Sequence, residues 1–181
     1  MNENLKKNIH RLYLAQYITL VCSFLLLIPL VNFAAAIAAL VGGIIGIIGL
    51  VSLRHEHPDY MNAVYFWLIG IVVNLITNNA GDGVISSFMD LLTAALSMGM
   101  VFFVIRATDS FLLPLGREDV VEKGRKAWKD RKLQLLISVA MTLLALLMPA
   151  FLIVFMIVEL IVMLRAALSY IGYLKAAEEA V

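Results

Sequence analysis

Asp90 is an acidic residue inside an otherwise apolar stretch, residues 84–105. Neutral polar residues accompany it every three or four positions, so that on a helix all of these side chains share one face; the set is Ser86, Asp90, Thr93 and Ser97. If the stretch crosses a membrane, the carboxyl lies about 9 Å below its outer end, at about 1.5 Å for each residue. A carboxylate at that depth is costly unless it is protonated, paired or hydrated. The stripe is therefore a candidate site for an ion, a proton or a polar solute.

Hydrogen-bonding partners for Asp90 are available in the preceding apolar stretch, residues 61–77. Gly70, Asn74 and Thr77 share a helical face there, and Asn74 would lie at the depth of Ser86 if the two stretches form a hairpin. The same groups allow a second interpretation, in which they form a buried hydrogen-bonded network that fixes the register of the helices.

Glu159 is a second acidic residue in an apolar stretch, near the middle of residues 150–173. Arg165 follows it by six residues, which places the two side chains about 120° apart around the helix axis, too far to pair directly. A partner for Glu159 must therefore come from another helix. Two intramembrane acids suit proton-coupled transport, whereas a neutral, hydrogen-bonded Glu159 would have only a structural role.

Two further polar stripes lie in the first and fifth apolar stretches. They consist of Gln16, Thr19 and Ser23 in the first, and of Ser138 and Thr142 in the fifth. Hydroxyl and amide side chains in such positions commonly form hydrogen bonds between helices. We expect that role for both stripes.

Other residue patterns that could support catalysis or metal binding are less specific. Residues 54–59 contain a His-x-His pair beside Glu56 and Asp59, but the spacing differs from that of a helical zinc site, and a polar turn with Pro58 accounts for it. The sequence has no phosphate-binding glycine loop and no Gly-x-Ser-x-Gly turn. The single cysteine, Cys22, excludes an internal disulfide. We expect no enzymatic activity, no cofactor and no bound metal.

The composition indicates what surrounds these residues. Of the 181 residues, 62% are apolar and only 15% are charged, and the mean hydropathy is +0.95. A soluble protein of this size has too much surface to cover with so few polar residues, so much of the surface must face lipid. The formal net charge of +1 provides no basic excess for binding nucleic acid.

We predict an all-α integral membrane protein with six transmembrane helices that form three helical hairpins. A span needs about 20 apolar residues, and the predicted spans are residues 12–30, 33–53, 61–77, 84–105, 133–148 and 150–173. The last two are separated at Pro149, because residues 133–164 would be too long for a single span and proline interrupts a helix. The whole chain, residues 1–181, is predicted to be a single polytopic domain.

Basic residues predict the orientation of the spans. With six spans and an inner N-terminus, all 14 Lys and Arg residues fall in inner segments, as the positive-inside rule requires. We therefore expect a multi-pass protein of the plasma membrane with both termini cytoplasmic. No family motif identifies the chain. Its size, span count and inner termini are similar to those of the substrate-binding membrane components of energy-coupling-factor vitamin importers, a similarity of architecture.

Small residues recur every four positions in the second span. Such rows let two helix backbones approach closely, and we predict a helix-packing interface at Ala35, Ala39, Gly42, Gly43 and Gly46. Two interpretations remain open: packing within the bundle, and contact with a second subunit.

The segment between the fourth and fifth spans is basic. Val120, Gly124, Ala127 and Trp128 have helical spacing, so we predict a short amphipathic inner helix at about residues 118–132. Its cations and Trp128 would lie at the membrane interface and could contact anionic lipid; these residues are Lys123, Arg125, Lys126, Trp128, Lys129, Arg131 and Lys132. Alternatively, the charges only set the orientation of the spans.

Two functions follow from these features. The first is a transport or solute- or ion-binding membrane subunit with a polar site between spans three, four and six, formed by Asn74, Ser86, Asp90, Thr93, Ser97 and Glu159. The second is a non-catalytic structural or accessory subunit that assembles with itself or within a larger membrane complex.

Overall fold

The computed structural model describes residues 3–26, 28–79 and 84–181, and within these ranges all regular secondary structure is helical. The helices are α1 (Glu3–Leu25), α2 (Asn32–Leu53), α3 (Asp59–Asn79), α4 (Val84–Leu112), α5 (Glu118–Leu147) and α6 (Leu152–Ala180). A short 3-10 turn, Pro149–Phe151, separates α5 from α6. The predicted break at Pro149 is confirmed.

Most helices extend beyond the apolar stretches that predicted them. α1 begins at Glu3, where an acidic residue suits the positive end of the helix dipole. α4 continues to Leu112, because Ala107 and Leu112 are buried against the rest of the bundle. It ends shortly before Gly116, which has a left-handed φ of 69° that glycine adopts at little steric cost.

The short amphipathic helix expected at about residues 118–132 is not a separate element. It forms the first half of α5, which continues without interruption to Leu147. The physical reason lies in the sequence: after Gly124 no glycine or proline occurs before Pro149, so nothing breaks the backbone hydrogen bonds between the charged half and the apolar half.

The helices pack in a ring in chain order, and α6 returns to contact α1. Side-chain contacts show that α1 begins where α6 ends, since His10 Nδ1 lies 2.9 Å from Glu178 Oε1. Likewise α3 begins where α4 ends, since the hydroxyls of Tyr60 and Thr108 are 2.9 Å apart. We call this end of the bundle, where α1, α3 and α5 begin and α2, α4 and α6 end, the basic end.

The buried apolar core is concentrated at the basic end. Its members come from all six helices and include Ile9, Leu53, Val104, Val120 and Leu174. Toward the opposite end, the described parts of the helices bury fewer side chains, among them Cys22 and Ala35. The bundle is therefore closely packed at the basic end and more open in its other half, and this difference creates space between helices.

Among the described residues, four helices are long and apolar enough to cross a membrane, judged by length and composition: Asn32–Leu53, Asp59–Thr77, Ser86–Leu112 and Ile153–Ala180. The other two, α1 and α5, start with a polar or charged segment and are apolar mainly in their second halves. Large apolar side chains are exposed on all six helices, as expected for surfaces that face lipid.

Candidate solute-binding pocket

A pocket of about 330 Å³ lies between α1, α3 and α4. Side chains from all three helices form its walls: Gln16, Thr19, Phe66, Trp67, Gly70, Ile71, Asn74, Leu75, Thr93, Ser97 and Met100. The volume is within the lower part of the range of small-molecule sites, and the mixture of apolar and neutral polar groups is typical of them.

Three of the residues predicted for a polar site lie in this pocket: Asn74 of α3, and Thr93 and Ser97 of α4. Gln16 and Thr19 of α1 join them. Sequence reasoning had singled out this α1 stripe but assigned it to hydrogen bonds between helices. The stripes of α1, α3 and α4 thus meet at one place in the bundle.

The polar groups of the pocket are neutral and partly satisfied within their own helices. The Thr19 hydroxyl donates to the Ala15 carbonyl at 2.8 Å, and the Thr93 hydroxyl donates to the Met89 carbonyl at 3.0 Å. Each hydroxyl oxygen can still accept a hydrogen bond from a ligand. Because none of the described residues that line it is acidic or basic, the pocket is suited to an uncharged polar solute rather than to a bare ion.

Aromatic rings form one wall of the pocket, and glycines make room for them. A Cβ at Gly46 of α2 would overlap the Trp67 ring, and a Cβ at Gly99 of α4 would overlap the Phe66 ring. Phe66 also packs on Phe103, with ring centroids 5.3 Å apart. The rings are therefore held against neighbouring helices, which gives the wall a defined shape.

The small-residue face of α2 packs inside the bundle at these positions. A Cβ at Gly42 would lie 2.9 Å from Ile18 of α1, and Gly46 adjoins both Trp67 and Ala15. Ala35 is buried, and Ala39 and Gly43 are half-buried. At Gly42 and Gly46 this geometry corresponds to the first interpretation of the row, packing within the bundle.

The pocket is closed toward the basic end. Met100 forms part of its lining, and Val101 and Val104 beyond it are buried. Further along, the Tyr173 hydroxyl of α6 donates to Asp109 Oδ1 of α4 at 2.7 Å, and Tyr60 of α3 bonds with Thr108. These contacts tie three helices together below the pocket. Sequence reasoning missed this cluster because residues 106–132 were assigned to an inner polar segment rather than to the end of α4.

Asp90 and Ser86 are not among the residues that line the pocket. Asp90 is exposed on the surface of α4, and Ser86 is half-buried. Ser86, Asp90, Thr93 and Ser97 do share one face of α4, but the pocket contacts only the part of this stripe at Thr93 and Ser97. Asp90 and Ser86 lie one and two turns nearer the start of the helix.

Glu159 lies elsewhere, at the contact between α5 and α6. Its Oε1 accepts a hydrogen bond of 2.7 Å from the Ser138 hydroxyl of α5. The partner comes from another helix, as the sequence required. Glu159 and Asp90 are therefore not brought into the pocket with Asn74, Thr93 and Ser97.

No protein-family model, curated protein or solved structure matches this chain. The chemistry of its own residues is therefore the basis for assigning a function.

The basic residues of α5 point in different directions. Lys126 lies in a groove against α6, whereas the Trp128 ring packs on Phe102 of α4 at 5.1 Å, with the Lys132 amine 5.5 Å from its centre. The Arg131 guanidinium lies 6.0 Å from the Tyr170 ring centre and donates to Gln134. Lys123, Arg125 and Lys129 are exposed. The seven residues thus do not form one continuous patch.

The His-x-His segment is engaged in local contacts. Arg54 donates to His55 Nε2 at 3.1 Å, and His57 Nδ1 accepts from the Asp59 backbone N–H at 3.2 Å. Asp59 also lies 3.3 Å from Arg106 of α4. In the described part of the chain no group of three His, Cys, Asp or Glu side chains is arranged to hold a metal.

Proposed function

We propose that this protein is a transport or solute-binding membrane subunit that takes a small, uncharged polar solute into the pocket between α1, α3 and α4. The supporting observation is that five neutral polar side chains from three helices meet there (Gln16, Thr19, Asn74, Thr93 and Ser97). A few neutral polar groups that converge in an otherwise apolar pocket orient a small polar ligand by hydrogen bonds.

The proposal includes six spans, with both termini cytoplasmic and the basic end inside, in the plasma membrane. The distribution of Lys and Arg supports this orientation. The pocket then lies above the closely packed core and is reached from the outer half of the bundle. A transport cycle would require the contacts of Tyr60 and Tyr173 at the basic end to open.

Water access to the pocket tests the proposal. In a Cys22→Ala background, Ser97→Cys places a single thiol in the pocket, and Phe88→Cys places one on the exposed apolar surface of the same helix. Both are treated with a membrane-impermeant, positively charged thiosulfonate in proteoliposomes. We expect Ser97→Cys to react about tenfold faster or more, because a thiolate forms readily only where water is present.

Phe88 is a strict control position because it lies nearer than Ser97 to the start of α4, which is the outer end in the proposed orientation. If depth alone governed the reaction, Phe88→Cys would react faster. Equal rates, or an unreactive Ser97→Cys in a protein that retains its helical circular dichroism, would contradict the proposal.

A second candidate function, a structural or accessory subunit, is favoured by Asp90. This carboxyl is exposed on α4, and such a group has a high free energy in contact with acyl chains. A neighbouring subunit that covers this face and hydrogen-bonds with Asp90 would remove the free-energy cost of exposing the carboxyl to acyl chains. A dry pocket in the labelling experiment would favour this function over the first.

A further inference from the structure

A groove of about 480 Å³ runs between the outer surfaces of α5 and α6, and it shares no residue with the solute pocket. Its walls are formed by Lys126, Asp130, Ile161, Leu164, Arg165, Leu168 and Ser169. Two cations, one acid and three apolar side chains therefore meet on one surface of the bundle.

The polar part of the groove is organised around Asp130. This carboxylate is buried. It accepts a hydrogen bond from the Ser169 hydroxyl and forms an ion pair with Arg165, whose Nη2 lies 3.1 Å from Asp130 Oδ1. One contact uses only part of the five N–H donors of a guanidinium, and the Arg165 side chain is 62% exposed. Asp130 thus holds Arg165 in place while leaving donors that face outward.

Lys126 adds a second cation beside Arg165. Its side chain lines the same groove and is exposed. Two cations against one buried carboxylate leave this part of the groove positive. A phosphate group is complementary to it, because a guanidinium and an ammonium both bind phosphate oxygens with charge-assisted hydrogen bonds.

The remaining wall is apolar and continues away from the basic end. Ile161 and Leu168 are 61% and 53% exposed. Beyond Ile161, the same face of α6 exposes Ile157 and Val154, which follow at helical spacing. The groove is thus cationic near the basic end and apolar along the rest of α6, in the direction in which an acyl chain would run.

We infer that this groove is a binding site for one anionic phospholipid. Its phosphate lies between Lys126 and Arg165, and an acyl chain lies along Leu164, Ile161 and Ile157. A free phosphate would leave the apolar wall uncovered, and a zwitterionic lipid would bring its own cation next to the two in the groove. The site does not depend on the proposed function of the solute pocket.

Lipid retention tests the inference. The full-length protein is purified into detergent containing equal amounts of phosphatidylglycerol and phosphatidylcholine, and bound lipid is counted by native mass spectrometry. We expect the wild type to retain phosphatidylglycerol in preference to phosphatidylcholine. In Lys126→Gln/Arg165→Gln we expect this preference to fall about tenfold, because each basic group near a phosphate contributes to binding anionic lipid.

The matched control is Lys7→Gln/Arg54→Gln, which removes two exposed cations from the basic end outside the groove. It should keep the wild-type preference. An equal loss in both double variants would show a diffuse effect of charge and overturn the inference, as would no loss in either.

Two further measurements keep the result interpretable. Lys126→Gln alone leaves the Asp130–Arg165 pair intact and should still lower the preference severalfold, so a folding defect of the double variant does not decide the outcome. Glycerol 3-phosphate, which has the phosphate without chains, should displace little bound phosphatidylglycerol at equal concentration. Displacement as effective as that by the lipid itself would show a phosphate site and overturn the assignment to a lipid.

Discussion

Single side chains in this bundle illustrate how polar groups are accommodated among apolar helices. Thr19 and Thr93 satisfy their hydroxyl protons within their own helices, and Glu159 takes its donor from Ser138 on the neighbouring helix. Glycines, which lack a Cβ, leave space for large aromatic rings, as Gly46 does for Trp67. Each of these hydrogen bonds and packing contacts depends on one or two atoms, so single substitutions test them.

Gly46→Ala should destabilise the protein. The added methyl group would overlap the Trp67 ring and lie 3.1 Å from Ala15 Cβ, and such overpacking costs about 1–3 kcal/mol. We expect a lower free energy of unfolding in mixed micelles, measured by circular dichroism. The displaced ring should also reshape the pocket wall.

Gly43→Ala is the matched control on the same helix. Among the described neighbouring side chains its Cβ would meet Trp67 Cζ2, at 4.0 Å, which is ordinary van der Waals contact. The free energy of unfolding should therefore stay unchanged or rise by up to about 1 kcal/mol, because alanine favours a helix over glycine. Equal destabilisation by the two substitutions would be incompatible with the described position of the Trp67 ring.

Whole helices determine where the bundle is closely packed. α5 reaches from the charged basic end into the apolar half as one rod, and at the basic end it lies directly against α4 and α6. The contact is close because α5 has glycine at the crossing point: a Cβ at Gly124 would meet Tyr173 Cε2 at 2.8 Å and Asp109 Oδ1 at 3.3 Å. This crossing brings α4, α5 and α6 together at the basic end.

Gly124→Ala should therefore push α5 away from its neighbours. We expect a loss of about 1–3 kcal/mol in the free energy of unfolding, because the ring and carboxylate it meets are buried or hydrogen-bonded and cannot move freely. The hydrogen bond between Tyr173 and Asp109 should lengthen, and an upward shift of the Tyr173 hydroxyl stretching frequency in infrared difference spectra would report it.

Gly172→Ala, on α6, provides the comparison. Apart from its own helix turn, no described atom lies within 4 Å of a Cβ at this position, and alanine favours a helix over glycine by up to about 1 kcal/mol. The variant should be as stable as the wild type or more so. If Gly124→Ala were equally harmless, the close crossing of α5 with α4 and α6 would be wrong.

The whole molecule is asymmetric along its axis. The half of the bundle that includes the basic end contains the buried core and the Lys and Arg residues, whereas the other half contains the pocket and presents mainly apolar side chains. This asymmetry fits a membrane protein with a sealed inner face and an accessible interior. The proposed orientation of the chain in the membrane can therefore be tested by labelling residues at the two ends of the bundle.

Single cysteines in a Cys22→Ala background should report that orientation. We expect Asn32→Cys, at the start of α2 and exposed, to react in intact cells with a membrane-impermeant maleimide. Lys7→Cys, Arg54→Cys and Lys175→Cys, all exposed at the basic end, should react only after the membrane is permeabilised. Labelling of Lys175→Cys from outside would place the C-terminal end of α6 on the other side and exclude six spans with inner termini.

Much of the local architecture was predictable from the sequence. Apolar length and helical periodicity predicted the helical class, and Pro149 located the break between α5 and α6, because both features act through backbone geometry within a few residues. Helix bounds were less accurate: Thr108 and Tyr173 are polar, yet they are buried through contacts with distant residues.

The composition and the row of polar residues on α4 determined that this chain has apolar helices with polar groups between them. Tertiary structure alone decided which of those groups meet. Gln16 reaches the pocket because α1 faces the α3–α4 hairpin across the ring, and Asp90 stays outside because the pocket extends along α4 only from Thr93 to Met100. The physical reason is that hydrophobic periodicity reports which face of a helix avoids lipid, whereas the partner of that face is selected by side-chain packing between segments far apart in the chain.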